Sequence, residues 1–255
     1  MCPVDNDSGN GVVPTPVGTD DVQVIHTGRL WRAGGATALV VLVAVLPAAS
    51  SLSDRARAAS VGCEGHAAAS AGRAAPVTRS DTDEQVLVIG DSWSVGLGLV
   101  RPADSWPSQL RGEVRVAGFS GSGFSRGASR CDRVWFAARA PAAMRAGADL
   151  VVVEGGLNDF DQSNPAITAG FEELMESLSG HRVVVVGPPS APARAGAVPR
   201  VDRLLASLSR RYSVDYVSTT DWSLPYLDDG LHPTPAGHEL FGNRVAEEIA
   251  SRLEP

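Results

Sequence analysis

The sequence predicts an α/β fold, a parallel sheet of about five strands with helices on both of its faces. Three observations carry that expectation. Short β-branched runs recur from residue 86 onward. Each is apolar throughout, as strands buried on both faces are, rather than alternating with polar residues. Between and after the later runs lie segments whose apolar residues recur at three-to-four spacing, the period of a helix with one buried face.

In order, the candidate strands are Val86–Ile89, Val114–Val116, Leu150–Val153, Val183–Val186 and Val214–Val217. The helical patterns cover Phe171–Leu178, Val198–Arg211 and Ala236–Leu253. No internal repeat is visible. The domain these elements define is assigned to residues 83–255.

Upstream, residues 1–32 form a polar leader dotted with Gly and Pro. Residues 33–53 carry no charge, and their centre, Ala38–Leu46, is wholly apolar. An uncharged run of that length can span a bilayer at about 1.5 Å rise per residue. A shorter apolar centre followed by Ala48-Ala49-Ser50 also fits a signal peptide with a small-residue cleavage site. The long leader favours an anchor, unless translation starts downstream of Met1. A buried core helix is the weaker reading, because no amphipathic period is visible. Arg29 and Arg32 before the run are answered by Arg55 and Arg57 beyond it, so orientation is weakly set. Both export readings place the rest of the chain outside the cytoplasm, either secreted or held to the membrane through residues 33–53. Residues 54–82, rich in Ala, Ser, Gly and Arg, read as a linker.

Composition narrows the chemistry. Against 29 acidic residues stand 22 basic ones, a net charge of −7, which argues against a nucleic-acid partner. Every basic residue is arginine. Without lysine there is no Schiff base, no pyridoxal-phosphate attachment, no P-loop and no Ser-Lys dyad. Of the three cysteines, Cys2 precedes the apolar run, whereas Cys63 and Cys131 would share an oxidising compartment. A Cys63–Cys131 pair and two unpaired thiols both fit the sequence. No C-x-x-C or His-Cys cluster points to a metal.

In an open parallel sheet, ligands bind outside the carboxyl ends of the strands. Three strand-end segments and one late loop can converge there. They are Gly90-Asp91-Ser92-Trp93-Ser94, the glycine-rich stretch Ala117–Gly123, Glu154–Asp159, and Asp228-Asp229-Gly230-Leu231-His232-Pro233. Together they supply the parts for acyl transfer. Ser92, at a strand-to-helix junction, is the candidate nucleophile, and an alcohol needs a base to take its proton. His232 is that base, and Asp229, three residues earlier, can hold its imidazole. Asp228 is the alternative carboxylate. The oxyanion donors available are the N–H groups of Ser92 and Gly121 and the Asn158 side-chain amide. Asp159 reads as a structural hydrogen-bond partner, and His238 as a residue that packs or faces solvent.

In these four motifs, over roughly residues 84–253, the chain resembles the SGNH (GDSL-type) hydrolase family. Gly90-Asp91-Ser92 matches its first block, the glycine-rich loop its second, Gly156-Leu157-Asn158-Asp159 its third, and Asp229-Gly230-Leu231-His232-Pro233 its fifth. The resemblance implies a three-layer α/β/α sandwich like flavodoxin, with catalytic Ser92, Asp229 and His232 and an oxyanion hole from Ser92, Gly121 and Asn158. Two departures stand out. Trp93 occupies the leucine position of the GDSL name, which suits a residue shaping the acyl pocket. Ala117 stands where many relatives carry asparagine, which leaves Gly123 as the alternative to Gly121 in the second block.

The function expected is an extracytoplasmic serine esterase working through an acyl-enzyme, without metal, nucleotide or other cofactor. With three Met and 5 % aromatics and no obvious apolar lid, short-chain acyl esters or O-acetyl carbohydrates are favoured over long lipids. An acyltransferase or long-chain lipase would use the same residues. An inactive envelope-associated binding module would have lost Ser92, Asn158 or His232, and all three are present. A flavodoxin-type nucleotide binder would want a phosphate loop after the first strand, where the acidic Gly-Asp-Ser stands. A G-x-S-x-G elbow fails because Ser94 occupies the second glycine position.

Overall fold

The structure is a computed structural model that describes residues 62–75, 77–78 and 83–253. The leader, the apolar run 33–53, Cys2 and the remainder of the 54–82 stretch lie outside the described residues. Among the described residues no helix is long and apolar enough to cross a membrane.

All the β-branched runs become strands. They are β2 (Gln85–Gly90), β3 (Glu113–Gly118), β4 (Leu150–Glu154), β5 (Arg182–Val186) and β6 (Asp215–Val217). A two-residue strand, β1 (Val77–Thr78), pairs antiparallel with β3, giving the order β1-β3-β2-β4-β5-β6. The five longer strands are parallel to one another. Pleating sends successive side chains to opposite faces. Val86 and Val88 join one core with Trp93, Trp106 and Phe241, while Leu87 and Ile89 join the other with Phe136, Phe171 and Leu174.

The helices follow the strands. A single turn, α2 (Ser92–Val95), starts at the end of β2. Helices α3 (Phe136–Ala143), α4 (Asn164–Ser177) and α5 (Val198–Arg211) contribute to one face, and α6 (Pro235–Leu253) covers the other. Helix α4 begins well before the apolar spacing at Phe171, because Ser163 caps the Ala166 N–H and Pro165 suits a first turn. The sheet order reverses between β2 and β4, which places a crevice at the carboxyl ends of those two strands.

One stretch differs from its expectation. Residues 62–73, read as linker, are helical and are named α1. A disulfide joins Cys63 to Cys131, with the Cα atoms 5.6 Å apart. Ser70 Oγ donates to the Gly118 carbonyl, and the buried Arg73 donates through Nε to Ser105 Oγ at 3.1 Å. The signal was present in the alanine content of residues 67–71, since alanine is the strongest helix former. The few apolar residues of this segment hid it, because its anchor is a covalent bond and polar contacts.

Candidate active site

The four expected segments do meet at the carboxyl edge of the sheet. Asp91 follows β2 as the N-cap of α2, its Oδ1 accepting the Trp93 N–H at 2.9 Å. This cap sets Ser92 at the first helical position. Gly90 is required beneath it, because a Cβ there would lie 2.0 Å from Ser94 Oγ. Ser92 is 6 % exposed, and its Oγ lies 3.1 Å from His232 Nε2.

His232 sits on the loop before α6. Its Nδ1 lies 2.6 Å from Asp229 Oδ2, while Asp229 Oδ1 accepts the N–H groups of Leu231 and His232 at 2.8 and 2.9 Å. The carboxylate therefore shapes the turn and holds the ring at once, and Asp229 rather than Asp228 is the partner. Slight burial pushes the Asp229 carboxyl up. The hydrogen bonds from the His232 ring and the two backbone N–H groups outweigh this and bring it down to about 2.

Gly121, at φ +80°, lines a cleft together with Asn158. Its N–H donates to no other group among the described residues. Gly123, the alternative glycine, is buried, and a Cβ there would lie 2.4 Å from Asp159 Oδ2. Asn158 is reached through the turn after β4, and its Nδ2 donates to Asp91 Oδ2 at 3.0 Å and to the Ser122 carbonyl at 2.9 Å. Both amide hydrogens are thus engaged, where the sequence suggested a free donor. Asp159 accepts the Phe124 and Ser125 N–H groups at 3.0 and 2.8 Å, pinning the glycine-rich loop.

Trp93 corrects an expectation. It does not face an acyl pocket. It is 1 % exposed and packs edge-on against Tyr226, His238 and Phe241. Its indole N–H donates to the Leu231 carbonyl at 3.1 Å, so it ties the nucleophile turn to the loop bearing His232. The reason is directional: Ser92 and Trp93 are adjacent on one helical turn and point to different sides of it. His238 packs inside, and burial pushes its imidazole down to about 4.

Sequence reasoning missed the layer beneath the nucleophile. Glu154 is fully buried and accepts the Ser94 hydroxyl at 2.7 Å, and Ser94 Oγ in turn accepts the Trp106 indole N–H at 3.1 Å. Burial, reinforced by the nearby Asp91 charge, raises the Glu154 carboxyl well above its usual range. Burial also lifts Asp91 to about 6, against the Trp93 N–H and His232. Arg139 binds the strand ends, donating to the carbonyls of Ala117 and Gly90 and to Ser122 Oγ. The visible hint was Glu154 itself, a charge closing an otherwise apolar strand.

A flavodoxin-type sheet with a hydroxyl, an imidazole and a carboxylate in one hydrogen-bonded row at its carboxyl edge is suited to hydrolysing esters. Comparison with known proteins supplies the family. The family model of the GDSL-like lipase/acylhydrolases matches residues 88–240, more than half of the chain. The chain belongs to this family and is an ester hydrolase. An arylesterase from Vibrio mimicus is 29% identical over 196 residues, covering 68% of this chain and 92% of that protein. Among solved structures, a carbohydrate acetylesterase from Sinorhizobium meliloti has a TM-score of 0.56 at 19% identity, over 67% of this chain and 100% of its own. The aryl esterase of M. smegmatis has a TM-score of 0.55 at 20% identity, again over 67% of this chain and 100% of its own. These structures share the fold.

Proposed function

We propose that the chain is an extracytoplasmic serine esterase that cleaves short acyl groups, O-acetyl carbohydrate esters among them, through an acyl-enzyme. The observation that carries this reading is the row Ser92 Oγ–His232 Nε2–Asp229 Oδ2. Ser92 Oγ attacks the ester carbonyl carbon while its proton passes to His232 Nε2. Asp229 stabilises the imidazolium. Collapse of the tetrahedral adduct breaks the bond to the alcohol oxygen, which leaves with the proton from His232. Water then attacks the acyl-enzyme, giving its proton to the same nitrogen, which passes it to Ser92 Oγ as the bond to the acyl carbon breaks and the acid departs.

The developing oxyanion is taken by the N–H groups of Ser92 and Gly121 and by the Asn158 amide. One Asn158 hydrogen now rests on the neutral Ser122 carbonyl, and an anionic oxygen is the stronger acceptor. Asn158→Ala is expected to cost about 3 kcal/mol of transition-state stabilisation, read as a fall in kcat with little change in KM. Normal turnover in that variant would remove Asn158 from the oxyanion hole.

The base must be unprotonated to accept the Ser92 proton, so kcat/KM, measured from about pH 8 to about pH 5, is expected to fall on acidification. Asp229, held near 2, stays ionised across that range, and His238, held near 4, stays neutral over most of it. Asp91, which burial raises above its ordinary value, accepts the Trp93 N–H and Asn158, so its protonation at the acid end would act in the same direction. A flat profile over this range contradicts the assignment.

Extracytoplasmic placement is supported by the Cys63–Cys131 disulfide, which persists in oxidising compartments. Residues 33–53 would deliver or anchor the domain. The test is hydrolysis of p-nitrophenyl esters from acetate to palmitate by the full chain and by its Ser92→Ala variant. Activity that depends on Ser92 and is greatest for the short acyl chains is the expected result. A long-chain optimum would make it a lipase, and activity equal in both proteins would overturn the nucleophile.

A further inference from the structure

The cleft beside Gly121 and Asn158 has a volume of about 780 Å³ and an uneven charge. The start of α1, with Cys63 and His66, lines it, and so do Arg130 and Arg194. Among the described residues no Asp or Glu lines it, although the chain has 29 acidic residues against 22 arginines. Neither arginine is paired with a carboxylate among the described residues.

Arg194 is instead held by an aromatic ring. Its guanidinium carbon lies 3.4 Å from the centroid of Phe160, and its Nε is buried without a hydrogen-bond partner. A guanidinium fixed on an aromatic face keeps its planar fork of donors for an outside acceptor and loses little entropy on binding. A neutral ester has no use for two unpaired cations. A carboxylate, sulfate or phosphate does, because charge-assisted bonds to arginine are the strong class of hydrogen bond.

From this cleft we infer that the substrate is an ester bearing an anionic group, which Arg194 and Arg130 hold while the ester carbonyl lies against Gly121 and Asn158. The inference rests on the esterase reading above and deepens it. The anion can be borne by the acyl group or by the alcohol, and the two sources are separable by experiment. Residues 62–73, upstream of the stretch that the family shares, thereby become part of the specificity apparatus.

The test uses the full chain and two matched pairs of esters. Mono-p-nitrophenyl succinate against p-nitrophenyl valerate places the anion on the acyl side. 4-Acetoxybenzoate against 4-acetoxybenzamide places it on the alcohol side. The quantity read is the ratio of kcat/KM, anionic over neutral, at low and high salt. In one pair the anionic ester is expected to be preferred, with the ratio falling as salt screens the charges. Arg194→Gln is expected to lower that ratio about tenfold, and Arg130→Gln, nearer to solvent, by less. A ratio that neither substitution moves, or a preference for the neutral ester in both pairs, overturns the inference.

If neutral esters are hydrolysed through Ser92 and no anion preference exists, the subsite fails and the esterase reading stands. If nothing is hydrolysed, the esterase reading fails. Calorimetric binding of the same esters to the Ser92→Ala protein, with and without Arg194→Gln, then decides the subsite. Weaker binding of only the anionic ester supports it, and equal binding overturns it.

Discussion

Ser92→Ala is expected to lower kcat by about four to six orders of magnitude while KM stays close to that of the unaltered protein. At about 1.4 kcal/mol per decade, this is the largest single effect the site offers. The substitution is clean because the Ser92 hydroxyl has one partner among the described residues, His232 Nε2 at 3.1 Å. The turn that bears it is held by others: the Asp91 cap, the buried Trp93 ring and the Trp93 bond to Leu231. Loss of the hydroxyl therefore leaves the fold intact, and the unfolding free energy is expected to move by no more than about 0.5 kcal/mol. Ser94 cannot substitute as nucleophile, since its hydroxyl is buried and committed to Glu154. Steady-state kinetics beside a denaturation curve check both halves. A variant retaining a tenth of the activity would move the nucleophile elsewhere.

The strands were legible because burial on both faces demands unbroken apolar runs, and Val183–Val186 or Leu150–Val153 can satisfy little else. The site was legible for a related reason. Parallel strands all point their carboxyl ends to one edge, so chemistry placed after each run gathers there. What could not be read depended on side-chain direction or on tertiary ties. Whether Trp93 lines a pocket or enters the core is decided by which side of one helical turn it occupies. Glu154 has meaning only once Ser94 and Trp106 are stacked around it. Helix α3 escaped notice because it is eight residues long and contains Pro141, which lowers its apparent propensity. Helix α1 escaped because its attachment is made by Cys63 to a residue 68 positions away.

Replacing both cysteines, Cys63→Ser with Cys131→Ser, is the second large effect. A bridge across 68 residues removes chain entropy from the unfolded state worth about 4 kcal/mol. The full loss requires α1 to remain docked without its bridge. Its remaining ties are the Ser70 bond to Gly118, the Arg73 bond to Ser105, the His66 edge on Phe119 and the short β1 pairing behind it. Among the described residues these are few for a segment made mostly of small side chains, so α1 is expected to open locally before the sheet unfolds. Two measurements separate the levels. Denaturant unfolding of the variant, or of the reduced protein, should show stability lower by up to about 4 kcal/mol. Hydrogen exchange should show the amides of residues 62–73 losing protection while those of β2, β4 and β5 keep theirs. Since the start of α1 walls the cleft beside Gly121 and Asn158, that opening would also deform the substrate site. An unchanged unfolding midpoint with α1 still protected would mean that the polar ties suffice and the disulfide is dispensable.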